Sequence, residues 1–224
     1  MRAWTAWRAF WRTLAELAAR PACFFQKMAV SGGLEEPLSF FWVVLGALVL
    51  PAFPLTMAQW ALAAPQPGSG GYPLYAQAAR VSGLLLVLLP VLLACAGLLV
   101  LLCGTLLWLV TSLFGVRRWE GCVSIWSYSL GVGLVPPAAA LWLAMLLSTV
   151  GYALGRIRPD LQAITLDITQ LALWALLGMG GLVGAFFFVV SVCTGTVRSL
   201  GMSGTRGVSA AVGGLLFAAA CLLG

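Results

Sequence analysis

From Val81 to Phe114 the chain carries no acidic or basic side chain. At 1.5 Å of rise per residue this run makes a helix on the order of 50 Å long. The hydrocarbon core of a bilayer is only about 30 Å thick. Similar runs recur along the chain. Of its 224 residues, 62 % are hydrophobic and 8 % charged, with a mean hydropathy of +1.05. Soluble domains carry about 25 % charged residues. So much apolar surface cannot be hidden from water, and the solvent for this chain is lipid. A transmembrane barrel needs short segments of alternating hydrophobicity. These runs are continuous and rich in leucine and alanine, so the fold expected is all-α, a polytopic bundle of transmembrane helices.

Five spans are expected, at about 38–62, 81–114, 122–149, 168–194 and 207–224. The first has Pro51 and Pro54 in its middle and closes in the loop "APQPGSGGYP". The second is too long for one upright helix, so it must tilt, project beyond the membrane or bend near Pro90. Before the first span, Ser31, Gly32 and Gly33 break the chain. Glu35, Glu36 and Pro37 then suit a first helical turn, where acids complement the helix dipole and proline lacks only an N–H that the helix does not use.

The N-terminal segment reads "MRAWTAWRAFWRTLAELAARPACFFQK". Trp4, Trp7, Trp11, Leu14 and Leu17 or Ala18 recur at helical spacing, with Arg2, Arg8 and Arg12 around them. This predicts an amphipathic helix lying in the membrane interface. It should end near Arg20, because Pro21 disfavours helix at the residue before it. Residues 1–30 therefore read as a cytoplasmic interfacial helix with a linker, and 31–224 as the membrane domain. Nine lysines and arginines fall on one side of a five-span plan (Arg2, Arg8, Arg12, Arg20, Lys27, Arg117, Arg118, Arg198 and Arg206) and three on the other (Arg80, Arg156 and Arg158). Positive charge accumulates on the cytoplasmic side, which predicts an N-terminus inside and a C-terminus outside.

Tests for chemistry come back negative. Histidine is absent, which removes the commonest general base and metal ligand. "GMSG", residues 201–204, has the form of the rhomboid protease nucleophile, but no histidine exists to activate Ser203. It reads instead as a turn in which Ser203 or Thr205 caps the last span. "GMGGLVG", residues 178–184, lacks the βαβ setting that a dinucleotide fingerprint requires. Gly180 and Gly184 form a small-xxx-small pair suited to helix packing. The six cysteines show no metal-ligand spacing. Cys23, beside the membrane, has the placement of an acylation site. The six acids, among them Asp160 and Asp167, all fall at span ends or in loops, whereas ion-coupled carriers bury such groups. No catalytic, cofactor or metal site is expected, and nothing resembles a nucleic-acid module.

"RRWEGCVSIWSYSLGVGLVPP", residues 117–137, is the most distinctive stretch. In a helix starting near Cys122, Ser124, Ser127, Tyr128, Gly131 and Val135 share a face. Small and hydroxylated residues on one stripe suit a helix-packing seam in lipid. Pro136-Pro137 should bend the span. Arg117, Arg118, Trp119 and Glu120 stand where an interface belt belongs. With Arg198 and Arg206, they are the candidate contacts for a partner.

Two of these stretches carry a resemblance. "RPACFFQKMAVSGGLEEPLSFFW" is similar to the start of the Yip-domain family of integral membrane proteins, with its proline, aromatic pair, glycine-rich step and Pro-x-Ser-Phe. "RRWEGCVSIWSYSLGVGLVPP" resembles that family's central signature, here Tyr128, Ser129, Pro136 and Pro137. The resemblance covers about residues 21–224 and implies five spans with a cytoplasmic N-terminus. The eukaryotic members, linked to Rab GTPases, carry a long cytosolic region with an acidic-Leu-Tyr-Gly-Pro motif, where this chain has only "EEPLSF". Arginine far outnumbers lysine, in keeping with a GC-rich bacterial genome and an inner-membrane location.

The function expected is a non-enzymatic membrane scaffold or adaptor. It would contact lipids and a membrane or cytoplasmic protein, or a second copy of itself, at the cytoplasmic rim. The alternative is a passive lipid- or solute-conducting or membrane-shaping protein, with Ser124, Ser127 and Tyr128 lining a polar groove.

Overall fold

A computed structural model describes residues 2–31, 33–49, 74–116, 118–157 and 162–223. Pro51, Pro54, the loop 64–73, Arg117, Arg158 and Asp160 lie outside them. The described residues form seven helices: α1 Arg2–Ala19, α2 Pro21–Ser31, α3 Glu35–Val49, α4 Leu74–Ser112, α5 Trp119–Ile157, α6 Gln162–Ser199 and α7 Gly204–Leu223. Among the described residues, three stretches are long and apolar enough to cross a membrane: Leu93–Ser112, Trp119–Gly151 and Trp174–Ser199. The rest of the five-span plan is helical where described, as α3 and α7.

The helices outrun the apolar runs that predicted them. α4 starts at Leu74 and continues through Pro90 without a break, so Arg80 belongs to a helix and not to a loop. Arg156 lies in α5, Arg198 in the last turn of α6 and Asp167 well inside α6. α5 also continues through Pro136-Pro137, the prolines predicted to bend this span. Each proline removes one N–H, leaving the carbonyls of Val132 and Gly133 without their usual donors. The residues on either side are helical.

Between α1 and α3 the sequence pattern predicted a linker, and the structure has a helix. Pro21 takes the first helical position of α2, where its missing N–H costs nothing. α1 packs against α2. Leu14 and Leu17 are buried inside the protein, while Trp11 is half exposed and Ala18 exposed. The single apolar face predicted for α1 is thus divided. The side chains of Trp4 and Trp7 lie outside the described residues. Arg12 Nε donates to Glu16 Oε1 at 3.3 Å, and Lys27 Nζ stands 3.7 Å from Glu16 Oε2. Both pairs are exposed and contribute at most about 1 kcal/mol each. α3 opens with Glu35 and Glu36 in its first turn.

The chain divides into two compact units. One comprises Met1–Leu45, Ala96–Leu134 and Gly184–Gly224, the other Gly46–Cys95 and Val135–Val183. In the first unit α5 is central. Every residue from Cys122 to Ser129 is buried, so this segment is a core on all its sides and not a seam along one.

Different turns of α5 meet different helices. Val123 meets Gly104 of α4, and Ile125 meets Gly195 of α6. Trp126 stands edge-on to Phe188 of α6 at 5.2 Å. Tyr128 lies between Phe24 of α2 at 4.8 Å and Phe40 of α3 at 5.2 Å. A Cβ at Gly131 would stand 2.6 Å from Phe40 Cε1, and one at Gly133 would stand 3.1 Å from the Gly184 carbonyl oxygen. Small residues let these helices approach to van der Waals contact, which is what holds helices together in lipid. In the second unit the same device recurs. A Cβ at Gly180 would stand 2.6 Å from Ala140 Cβ and 3.1 Å from the Pro136 carbonyl oxygen.

Hydroxyls inside these helices mostly bond their own backbone. Ser127 Oγ donates to the Val123 carbonyl at 2.8 Å, and Thr194 Oγ1 to the Val190 carbonyl at 2.6 Å. Ser129 Oγ and the Nε1 atoms of Trp108 and Trp126 are buried without a hydrogen-bond partner among the described residues.

Candidate functional site

The first unit has two short corners, one joining α4 to α5 and one joining α6 to α7. At the first, Gly115 takes φ +87°. Its N–H donates to the Ser112 carbonyl at 2.9 Å, and the Val116 N–H to the Thr111 carbonyl at 3.2 Å. This pair of bonds is a Schellman closure, which uses up the last carbonyls of α4 and turns the chain out of the helix. Arg118 follows as the residue before α5, its carbonyl accepting from the Cys122 N–H at 3.3 Å.

Two side-chain bonds fasten this corner. Trp119 Nε1 donates to Thr105 Oγ1 at 3.0 Å. Thr111 Oγ1 and Cys122 Sγ are hydrogen-bonded at 3.4 Å, fully buried. These bonds close the chain around Arg118 without involving its charge.

At the second corner only residues 200–203 are outside helix. Gly201 takes φ +66°. Ser203 occupies the capping position of α7, its carbonyl accepting from the Gly207 N–H at 2.8 Å. Thr196 Oγ1 spans the corner, reaching the Gly207 carbonyl at 3.0 Å. The two helices are close enough that a Cβ at Gly207 would stand 3.1 Å from Val197 Cα.

The two corners meet. A Cβ at Gly121 would stand 3.3 Å from Leu200 Cδ2 and 3.7 Å from Arg118 Cβ. Arg118 and Arg198 consequently line one open cleft of about 450 Å³, with Gly115 and Val116 on one side and residues 199–201 on the other. A second open cleft of about 470 Å³ shares Arg198 and is completed by Gln26 of α2, Met202 and Gly204. No acid among the described residues lines either cleft. Among the described residues, Arg118, Arg198 and Arg206 are exposed and make no ion pair. A guanidinium keeps its charge at any physiological pH, so this end of the unit presents unneutralised positive charge.

The predicted contact residues are therefore only partly brought together. Arg118 and Arg198 share the cleft. Trp119 and Glu120 form the first turn of α5 beside it, both exposed. Arg206, in the first turn of α7, lines neither cleft. Ser124, Ser127 and Tyr128 are buried and line neither of them. Gln26 and Gly201 were missed. Gln26 follows from α2 being a helix, and the proline-led segment without glycine from residue 21 to 30 was the available signal. Among the described residues, no group of histidine, cysteine and acidic side chains could hold a metal ion. No family model, curated protein or solved structure matches the chain.

Proposed function

We propose that the chain is a non-enzymatic integral membrane scaffold or adaptor of the Yip-domain type. Its plan would be five spans with the N-terminus in the bacterial cytoplasm. A protein partner would engage the rim formed by Arg117, Arg118, Trp119, Glu120, Arg198 and Arg206. The observation that carries this reading is the convergence of Arg118 and Arg198 on one open cleft that contains no acid among the described residues. Cations left unneutralised at a surface favour a partner of complementary charge, and guanidinium forks pair well with carboxylates. The cytoplasmic assignment is supported by the nine-to-three bias of basic residues. The conducting alternative gains no support from Ser124, Ser127 and Tyr128, which are buried.

Cross-linked purification from native membranes tests the reading. The wild type is compared with the Arg118→Glu, Arg198→Glu double variant at matched, low expression. A partner recovered in stoichiometric amount with the wild type and lost from the inserted, folded variant is the expected result. Recovery of the same proteins with both, or of the chain alone, would overturn it. Recovery of a second copy of the chain, lost on charge reversal, would make the partner a homo-oligomer.

A further inference from the structure

We infer that the cleft between Arg118 and Arg198 is a discrete site for the phosphate of one anionic lipid headgroup. This deepens the reading above and rests on it, since it takes this end of the unit to lie at a bilayer face. Three observations converge on it.

The first is depth. The apolar stretch Leu93–Ser112 ends just before the cleft, Trp119–Gly151 begins directly after Arg118, and Trp174–Ser199 ends one residue after Arg198. Both guanidinium-bearing residues thus stand where the hydrocarbon region gives way to headgroups.

The second is chemistry. Arg118 and Arg198 come from separate corners and line the same cleft, whose described lining contains no acid, Glu120 standing beside it in the first turn of α5. Two planar forks of N–H donors can together grip the several oxygens of one phosphate. A cleft of about 450 Å³, open on one side, has room for a phosphate and its glycerol.

The third separates a lipid from a soluble phosphate ester. Leu113 and Phe114, the two residues before Gly115, are 83 % and 45 % exposed. The chain therefore carries bare apolar side chains in the two positions that lead into Gly115 and Val116 of the cleft lining. A ligand that satisfies both is an amphiphile, with its phosphate on the arginines and its acyl chains along Leu113 and Phe114.

Native mass spectrometry of the full-length protein released from detergent micelles tests the site, with phosphatidylglycerol or phosphatidylcholine as the added lipid. The wild type should retain one phosphatidylglycerol and show at least about tenfold preference over phosphatidylcholine, as expected for charge-assisted hydrogen bonds. Arg118→Gln and Arg198→Gln should each lower retention by about tenfold. Arg12→Gln, whose exposed arginine pairs with Glu16 and is not among the described lining of either cleft, should change nothing. Tryptophan-fluorescence melts establish that all variants are folded.

Equal retention in the cleft variants, or equal retention of both lipids, would overturn the inference. Displacement of the lipid by millimolar inorganic phosphate would assign the site to soluble phosphate and overturn the lipid source. Glutamine variants that keep the lipid while losing a protein partner would sink this inference and leave the adaptor reading standing. Loss of the lipid with the partner unchanged would do the reverse.

Discussion

Gly104 and Val123 approach each other more closely than any side chain on the glycine would allow. A Cβ at Gly104 would stand 2.7 Å from Val123 Cα. That contact sets the spacing of α4 against α5. The obstacle is backbone, which cannot swing aside as a flexible side chain does. Gly104→Leu should therefore destabilise the protein by about 1–3 kcal/mol, the usual range for overpacking. Gly181, also in a helix, faces open space. Gly181→Ala should be neutral or stabilising by up to about 1 kcal/mol, since alanine restricts the unfolded chain more. Thermal unfolding in micelles, followed by tryptophan fluorescence, would separate the two. Equal shifts would mean that α4 and α5 are not in contact at this point.

Tyr128 joins α2 and α3 to α5 through its contacts with Phe24 and Phe40. Tyr128→Ala should cost about 3–5 kcal/mol, as for other aromatic truncations in a core. Tyr128→Phe keeps both ring contacts and should cost much less. The same melts check this. A mild effect of the alanine variant would show that α2 and α3 are not held through this ring.

Ser129 is buried with its hydroxyl unpartnered, whereas Ser127 bonds the Val123 carbonyl. An unsatisfied buried hydroxyl costs about 1–3 kcal/mol. Ser129→Ala should therefore raise the melting temperature, and Ser127→Ala should lower it or leave it unchanged. A drop for Ser129→Ala would reveal a partner for that oxygen.

Cysteine labelling gives an independent check. Cys23 is exposed, while Cys103 and Cys122 are buried and Cys122 is bonded to Thr111. A water-soluble maleimide should modify Cys23 in the folded protein and reach Cys103 and Cys122 only after denaturation. Peptide-resolved mass spectrometry reads the order. Labelling of Cys122 at the rate of Cys23 would mean that the Arg118 corner is open.

Much of the helical plan was legible in the sequence, because unbroken apolar runs leave the backbone no other way to satisfy its hydrogen bonds in lipid. The start of α3 at Glu35 was equally plain from its glycine break and acidic first turn. Helix ends were not legible. Arg80, Arg156 and Arg198 sit in helices that continue past the apolar region, and hydropathy cannot see a helix once polar residues join it.

α2 was overlooked because it is short and its apolar pattern is uneven. The role of residues 122–129 was read too narrowly, as one face. Periodicity shows which side chains share a stripe, but not how many neighbours surround the helix. The cleft itself joins residues eighty positions apart, and no local pattern in the chain brings Arg118 to Arg198.

The burial of α5 from Cys122 to Ser129 on all its sides has a consequence for sequence drift. Most positions on a membrane protein's outer surface tolerate any apolar residue of roughly suitable size. Leu182 and Phe186, each largely exposed, are such positions. The two turns of α5 have no such freedom, because every side chain there is buried and several of them meet different helices. Accepted changes should therefore accumulate around this segment and stop at its ends. Among distant relatives it should be the stretch that still aligns when the rest has become only generically hydrophobic.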